Sequence, residues 1–310
     1  MTSLLTNTAA MVALQTLNQI NRSLNTTNNR VSTGLRIAQA ADSAAYWAIA
    51  TTTDSDNGAL SAVRDALAIG KSTLDVAYSG LESNRDSLQK LKELLVSGRQ
   101  PGVNRANIQT EVDGLITDMV NKAGAAVINE QNFLEADSTG NTIKAIVASF
   151  ERSSAGIAIS TIDLDIASLI MVDTGATAGI LDQTRTIGAA GPQQFANSIL
   201  SLAGTTISNI TDSVDDLALL ENIITAVDNA LTEVISAQNT VGVNLARAES
   251  QETFVAALMD ANERAVGALI DANMEEESTK LRALQTQQQL SVESLAIANA
   301  SAQNVLALFQ

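Results

Sequence analysis

The feature that most limits what this chain can become is one long apolar register. Leu217, Leu220, Ile224, Val227, Leu231, Val234, Val241, Leu245, Ala248, Val255, Met259, Val266 and Leu269 follow one another at three- and four-residue steps, interrupted only by Gln238, Glu252 and Asn262. That spacing puts all of them on one stripe of an α-helix packed lengthwise on another helix. At 1.5 Å per residue the helix is roughly 80 Å long, too long for the interior of a small globule. A second register runs through Tyr46, Ile49, Leu60, Val63, Leu67, Leu74, Ala77, Leu81, Leu88, Leu91 and Leu95, interrupted at Thr53, Asp56, Gly70 and Asn84, and stops at a turn marked by Gly98, Pro101 and Gly102. The only other proline is Pro192, so nothing breaks either helix from within.

Both chain ends carry shorter registers. Ala10, Leu14, Leu17, Leu24, Val31 and Leu35 form one, with Asn21 and Asn28 at the intervening positions. Leu281, Leu284, Leu295, Ala298, Ala302, Val305 and Phe309 form the other, after the register slips across "NMEEESTK", with Gln288 and Asn299 interrupting it. Past the turn, Ile108, Val112, Leu115 and Met119 mark a helix that doubles back, because a short loop favours antiparallel neighbours. From about Phe133 to Gly204 the pattern changes to Gly, Ser, Thr and Ala, with stretches of period-two alternation through Ile157 and Ile159, then through Ile162, Leu164 and Ile166. The expected fold is mainly α: a long antiparallel helical hairpin, a coiled-coil bundle formed by both chain ends, with a small β-containing central insert. The expected segments are an N-terminal arm (1–41), the N-terminal part of a helical core (42–135), a variable surface insert (136–204), the C-terminal part of the core (205–273) and a C-terminal arm (274–310). An insert lying outside the helical registers should tolerate removal of about residues 140–195.

The chain has no histidine and no cysteine. Imidazole bases, thiolate nucleophiles, disulfides and the commonest zinc ligands are therefore excluded, and no enzymatic role, cofactor or metal is expected. Asp163 and Asp165 alternate with apolar residues and read as a solvated strand face, and Glu275, Glu276 and Glu277 as a solvated joint between helices. The net charge of −16 argues against nucleic acid as a partner, while residues 1–40 hold Arg22, Arg30 and Arg36 and no acid. No apolar run is long enough to span a bilayer, and the first residues lack the pattern of a cleaved signal.

Two isolated helices with Ala-rich, Asn-interrupted seams bury too little to offset backbone ordering, roughly 1–2 kcal/mol per residue, so other copies of the chain are expected to complete the ends. At the joint after the first helix, Gly34 breaks the register and Asp42 is placed to cap the next helix, whose first turn holds Tyr46 and the single tryptophan, Trp47. There the pair either locks the angle between the terminal arm and the body or presents a flat anchor to a neighbour, and ordinary packing against the returning C-terminal helix, compatible with the first, is the leading expectation.

The stretch "NNRVSTGLRIAQAADSAAYWAIA" resembles the amino-terminal signature of bacterial flagellins, with the turn at Ser32, Thr33, Gly34, Leu35, Arg36 and Ile37 and the second element at Asp42, Ser43, Ala44 and Ala45. The resemblance continues through "NRDSLQKLKELLV" and "INEQNFL" and returns in the C-terminal helices up to "NVLALFQ". It implies a secreted, extracellular structural subunit that polymerises into the flagellar filament for motility, the terminal helices forming the filament core, with a hook–filament junction protein of the same architecture as the alternative. The implied partners are the chain itself in a helical homopolymer, alone or mixed with other flagellins, the flagellar export apparatus, an export chaperone on the C-terminal arm, and filament cap and junction proteins, without membrane insertion. Candidate assembly residues are Leu14, Leu17, Leu24, Val31, Gly34, Leu35, Arg36, Tyr46, Trp47, Leu281, Leu284, Leu295, Val305 and Phe309.

Overall fold

The computed structural model describes residues 7–153, 156–204 and 206–307, with side chains described as far as residue 301. The helices are α1 (Thr8–Thr33), α2 (Ala44–Gly98), α3 (Arg105–Ala125), α4 (Val214–Ile270) and α5 (Met274–Ala307). Between α3 and α4 lie short strands β1 (Val127–Ile128), β2 (Gln131–Asn132) and β3 (Glu135–Ala136), the long pair β4 (Ile143–Ser153) and β5 (Gly156–Asp165), and short strands β6 (Val172–Asp173), β7 (Arg185–Ile187) and β8 (Phe195–Asn197). The chain divides into two compact units, Ala59–Leu258 and the combination of Met1–Gly58 with Met259–Gln310.

In the unit Ala59–Leu258, the α2–α4 seam follows the sequence register. Leu60, Leu67, Leu74, Leu81, Leu88 and Leu95 are buried seven residues apart on α2, and Leu220, Val227, Val234, Val241, Ala248 and Val255 seven apart on α4. Burying one such side chain contributes about 1.5–3 kcal/mol, so this seam is the main source of the unit's stability. Its antiparallel register is set by polar pairs along its flanks. Lys71 meets Glu249 and Glu252 at 3.2 and 3.5 Å, Arg85 Nη1 donates to Gln238 Oε1 at 3.4 Å, and Lys92 meets Asp228 at 2.6 Å. Ser213 starts α4 by accepting the Asp216 N–H, and Asp215 and Asp216 lie in the first turn, where the helix dipole favours negative charge.

That register brings Asn84 level with Gln238. Asn84 is fully buried, and neither its side-chain nitrogen nor its oxygen has a partner, as is also true of Gln238 Nε2. An unpaired buried amide costs about 1–3 kcal/mol. Asn84→Leu is therefore expected to stabilise this unit by about 1–2 kcal/mol in urea unfolding, the lower end because the branched side chain must be fitted into a packed layer. A destabilised variant would mean that the amide is hydrogen-bonded in solution.

The third helix doubles back as expected, burying Ile108, Val112, Ile116 and Met119, whereas Leu115 is only half-buried. Asn104 caps it through the Ala106 N–H at 3.1 Å. The nearly buried Arg105 side chain ties three segments together, donating to the Gly98 and Ile210 carbonyls and to Asp212 Oδ1 at 2.9, 3.3 and 2.6 Å. Gln109, also buried, donates to the Leu202 carbonyl and accepts from the Ile207 N–H, each at 2.7 Å.

The β-containing insert is larger in consequence than its sequence suggests. β4 and β5 pair antiparallel with a bulge between Val147 and Ser149. Ile146, Ile162 and Leu164 are buried, and they are followed by a buried run of Ile166, Leu169, Ile170 and Met171. Two glycines of α2 make this docking possible: a Cβ at Gly70 would lie 2.4 Å from Ile146 Cγ2, and one at Gly80 2.6 Å from Leu134 Cδ1. Gly70, an interruption in the sequence register, is thus the socket for a strand side chain. Removal of residues 140–195 would strip Ile146 from its socket at Gly70 and take away the buried run from Ile162 to Met171, so the expectation of a dispensable insert is corrected: these apolar side chains belong to the unit's core. Asp173 organises the adjoining loop, accepting from the Ser138 hydroxyl and N–H and the Gly175 N–H, and these donors, the hydroxyl first, hold its carboxyl well below the usual carboxylate range. Asp163 accepts from the Thr161 hydroxyl at 2.9 Å, and Asp165 caps the turn that follows through the Ala167 N–H at 3.0 Å.

Candidate assembly surfaces

In the other unit, α1 and α5 form an antiparallel two-helix coil. Asn7 caps α1 through the Ala10 N–H and also donates to the Ala298 carbonyl, at 3.1 and 3.0 Å. Gln288 Nε2 donates to Asn21 Oδ1 at 2.8 Å, and Arg30 pairs with Glu277 at 3.0 Å. Two seam interruptions seen in the sequence, Asn21 and Gln288, are therefore each other's partner, a polar contact that specifies register.

The α5 seam holds Leu281, Leu284, Leu295 and Ala298 at half-buried positions, as expected. On α1, Leu17, Leu24 and Val31 face the coil, but the positions that alternate with them are Ala13, Ile20 and Thr27. Leu14 is 49% exposed and Asn28 is exposed, which corrects both assignments. Two adjacent stripes of α1 satisfy the same spacing, and the place of α5 selects between them. Glu277 is likewise corrected from solvated joint to buried ion-pair partner of Arg30, whereas Glu275 and Glu276 remain exposed. The side chain of Val305 and the whole of Phe309 lie outside the described residues.

Gly34 ends α1 with φ +72°, its N–H bonding the Arg30 carbonyl at 2.9 Å, while a Cβ there would meet nothing within 4 Å. Glycine is required by the left-handed conformation and not by crowding. The chain then binds the end of α4 as a short strand. Leu35 bridges Asp271, the Ala272 N–H donates to the Gly34 carbonyl at 2.8 Å, and the Arg36 N–H donates to the Ile270 carbonyl at 2.6 Å. Arg36 Nη2 adds a bond to the Leu269 carbonyl at 2.7 Å, placing its charge where the last carbonyls of α4 lack helical partners. Asp42 turns back to accept from the Ala38 and Gln39 N–H groups, and the Ser43 carbonyl accepts the bond from the Trp47 N–H at the start of α2, so Asp42 is not that helix's cap.

Tyr46 and Trp47 are 47% and 38% exposed, which corrects the expectation of packing against a returning helix. The inward face of this end of α2 runs through buried Ala50, leaving Ile49 exposed. The coil exposes further apolar side chains missed in the sequence registers: Met11 and Val12 on α1, and Leu290, Val292 and Ile297 on α5. Since Asn7 pairs with Ala298, these two sets lie toward the same end of the coil. Their signal in sequence is an apolar position on the stripe opposite the seam, such as Leu290 and Ile297 seven residues apart. Among the described residues, no three His, Cys, Asp or Glu side chains converge to hold a metal ion, and no helix is long and apolar enough to cross a membrane.

Residues 4–139 match the model of the bacterial flagellin N-terminal helical region, and residues 224–309 that of the bacterial flagellin C-terminal helical region. Flagellin C of Rhizobium meliloti strain 1021 is 42% identical over 321 residues, covering 100% of both chains. The chain belongs to the bacterial flagellins. A Brucella melitensis flagellin is 37% identical over 311 residues, again covering 100% of each chain. A hook-associated protein of Vibrio parahaemolyticus, described as putative, aligns with TM-score 0.49 and 16% identity over 71% of this chain and 95% of that one. This flagellin is a structural subunit of the flagellar filament, and the junction-protein alternative gains no support from relatives matched end to end. The α1–α5 coil and the joint at Gly34 fall within the two matched regions.

Proposed function

We propose that the α1–α5 coil is the surface through which copies of this flagellin pack into the filament core. The observation that carries this reading is how little the coil buries by itself. Thr27 is the only buried residue of α1, and Glu277 the only one among the described side chains of α5. A two-helix pair cannot enclose its own seam, so neighbouring copies supply the missing sides and cover Met11, Val12, Leu14, Leu290, Val292 and Ile297. Leu17, Leu24, Val31, Leu281, Leu284 and Leu295 hold the pair together, while Gly34, Leu35 and Arg36 fix the turn that precedes α2.

The subunit acts outside the cell, in the filament, and its role is mechanical rather than catalytic. The finer partners follow from the same exposed faces. Leu290 and Ile297 need shielding before assembly, which suits an export chaperone on the C-terminal arm, and delivery to the growing tip calls for the flagellar export apparatus. Cap and junction proteins meet the uncovered faces of subunits at the two filament ends. Amide exchange tests the reading: residues 8–33 and 274–307 are expected to exchange readily in the free monomer and to become strongly protected in the polymer. Equal protection in both states would show a preformed coil that gains nothing from assembly.

A further inference from the structure

We propose that the exposed turn at the start of α2, carrying Tyr46, Trp47 and Ile49, is a contact surface for a second copy of this chain. The proposal rests on the filament reading and adds a surface outside the α1–α5 coil. Asn57 Nδ2 donates to the Met259 carbonyl, and Asn262 Nδ2 to Asn57 Oδ1, each at 3.3 Å. The antiparallel register these bonds define puts Ala50 level with the last turn of α4, and α4 ends at Ile270. Tyr46 and Trp47 thus lie on a turn that extends past the end of the helix beside it.

Every residue from 44 to 49 is exposed, and the six are Ala, Ala, Tyr, Trp, Ala and Ile. A helical turn that is apolar on all sides belongs in a buried setting, and the unit that contains it offers no cover. The occupant is argued from charge and chemistry together. Copies of a chain with net charge −16 repel each other except where neutral surfaces meet, and residues 43–53 contain no charged side chain. The outer face of α1 is uncharged and apolar in the same way around Met11 and Val12, residues 8–20 holding no charged side chain, so a neighbouring copy carries surface of matching character. Aromatic side chains with flat, partly polar surfaces are the residue types that anchor such contacts.

Trp47 is the chain's only tryptophan and reports on its own environment. Filaments sheared from cells making this flagellin alone are compared with monomer obtained by heating them. The expected result is a blue-shifted emission in the filament and a fall in acrylamide quenching of roughly threefold or more, as an aromatic anchor loses its water. Trp47→Asp is expected to raise the concentration needed for growth by about tenfold or more, with the monomer's melting curve unchanged because the residue is exposed there. Equal quenching in filament and monomer, or growth of the Asp variant at the parent's concentration, overturns the proposal and leaves the filament reading standing. A contact with a cap or junction protein gives the same overturning result, since bulk filament then keeps Trp47 wet. Sheared filaments that lack this chain would remove the filament reading itself, and the proposal with it.

Discussion

Flagellin truncated after residue 273, and so without α5, is expected to form no filaments at concentrations where the full chain grows freely. The deletion removes half of the coil that α1 enters, along with the Gln288 to Asn21 and Glu277 to Arg30 contacts that set its register. A helix of 26 residues with one buried side chain is marginal in water, so α1 would lose its order as well as its partner. The long seam should be untouched, because Leu60 through Leu95 and Leu220 through Val255 make no use of α5. Electron microscopy checks the first half of the expectation. A thermal melt within a few degrees of the parent, followed by circular dichroism, checks the second. Filaments of normal length from the truncated chain would refute assembly through the terminal coil.

Glu233→Ala is expected to destabilise the unit Ala59–Leu258 by about 2–3 kcal/mol. Arg185 sits on β7 with its side chain 8% exposed, and both terminal nitrogens reach Glu233 on α4, at 2.8 and 2.5 Å to the two carboxylate oxygens. Gln183 donates to the same carboxylate at 2.8 Å. Alanine would leave a guanidinium inside the fold with only the Ile180 carbonyl for company, and Arg185 Nε already lacks a partner. Breaking a wholly buried pair costs about 3–5 kcal/mol, and Glu233 is 41% exposed, so water reaching the vacated site recovers part of that. For a unit of this size the loss corresponds to a fall in Tm of about 5–10 °C. Glu221→Ala provides the comparison: its partner Arg99 is half exposed, and the change should stay within about 0.5 kcal/mol. If the two variants melt alike, the insert is not held through Arg185.

Seams that meet a partner within the chain were the most legible part of the sequence. The register from Leu60 to Leu95 and the seven-residue series from Leu220 to Val255 are buried as their spacing requires, since each position has an apolar residue opposite it. Legibility failed where two neighbouring stripes were equally apolar. On α1, Leu14 and Asn28 fit the spacing as well as Ala13 and Thr27 do, and only the position of α5 separates them. It failed again at Tyr46, which continues the α2 register on paper but lies where α4 has ended, and at Ile49, beside which Ala50 holds the inward face.

Periodicity and the scarcity of proline were enough to establish by sequence alone long helices toward both chain ends around a β-containing insert, while the structural role came from the resemblance to flagellins and the absence of histidine and cysteine only argued against catalysis. These are local or compositional properties, and a single chain carries them openly. The tertiary structure alone decided which face of each terminal helix is covered, that Gly70 and Gly80 are sockets for Ile146 and Leu134, and that Arg185 fastens the insert to Glu233. Each of those depends on where residues dozens of positions apart come together and on the direction their side chains take, and spacing within one segment holds no record of either.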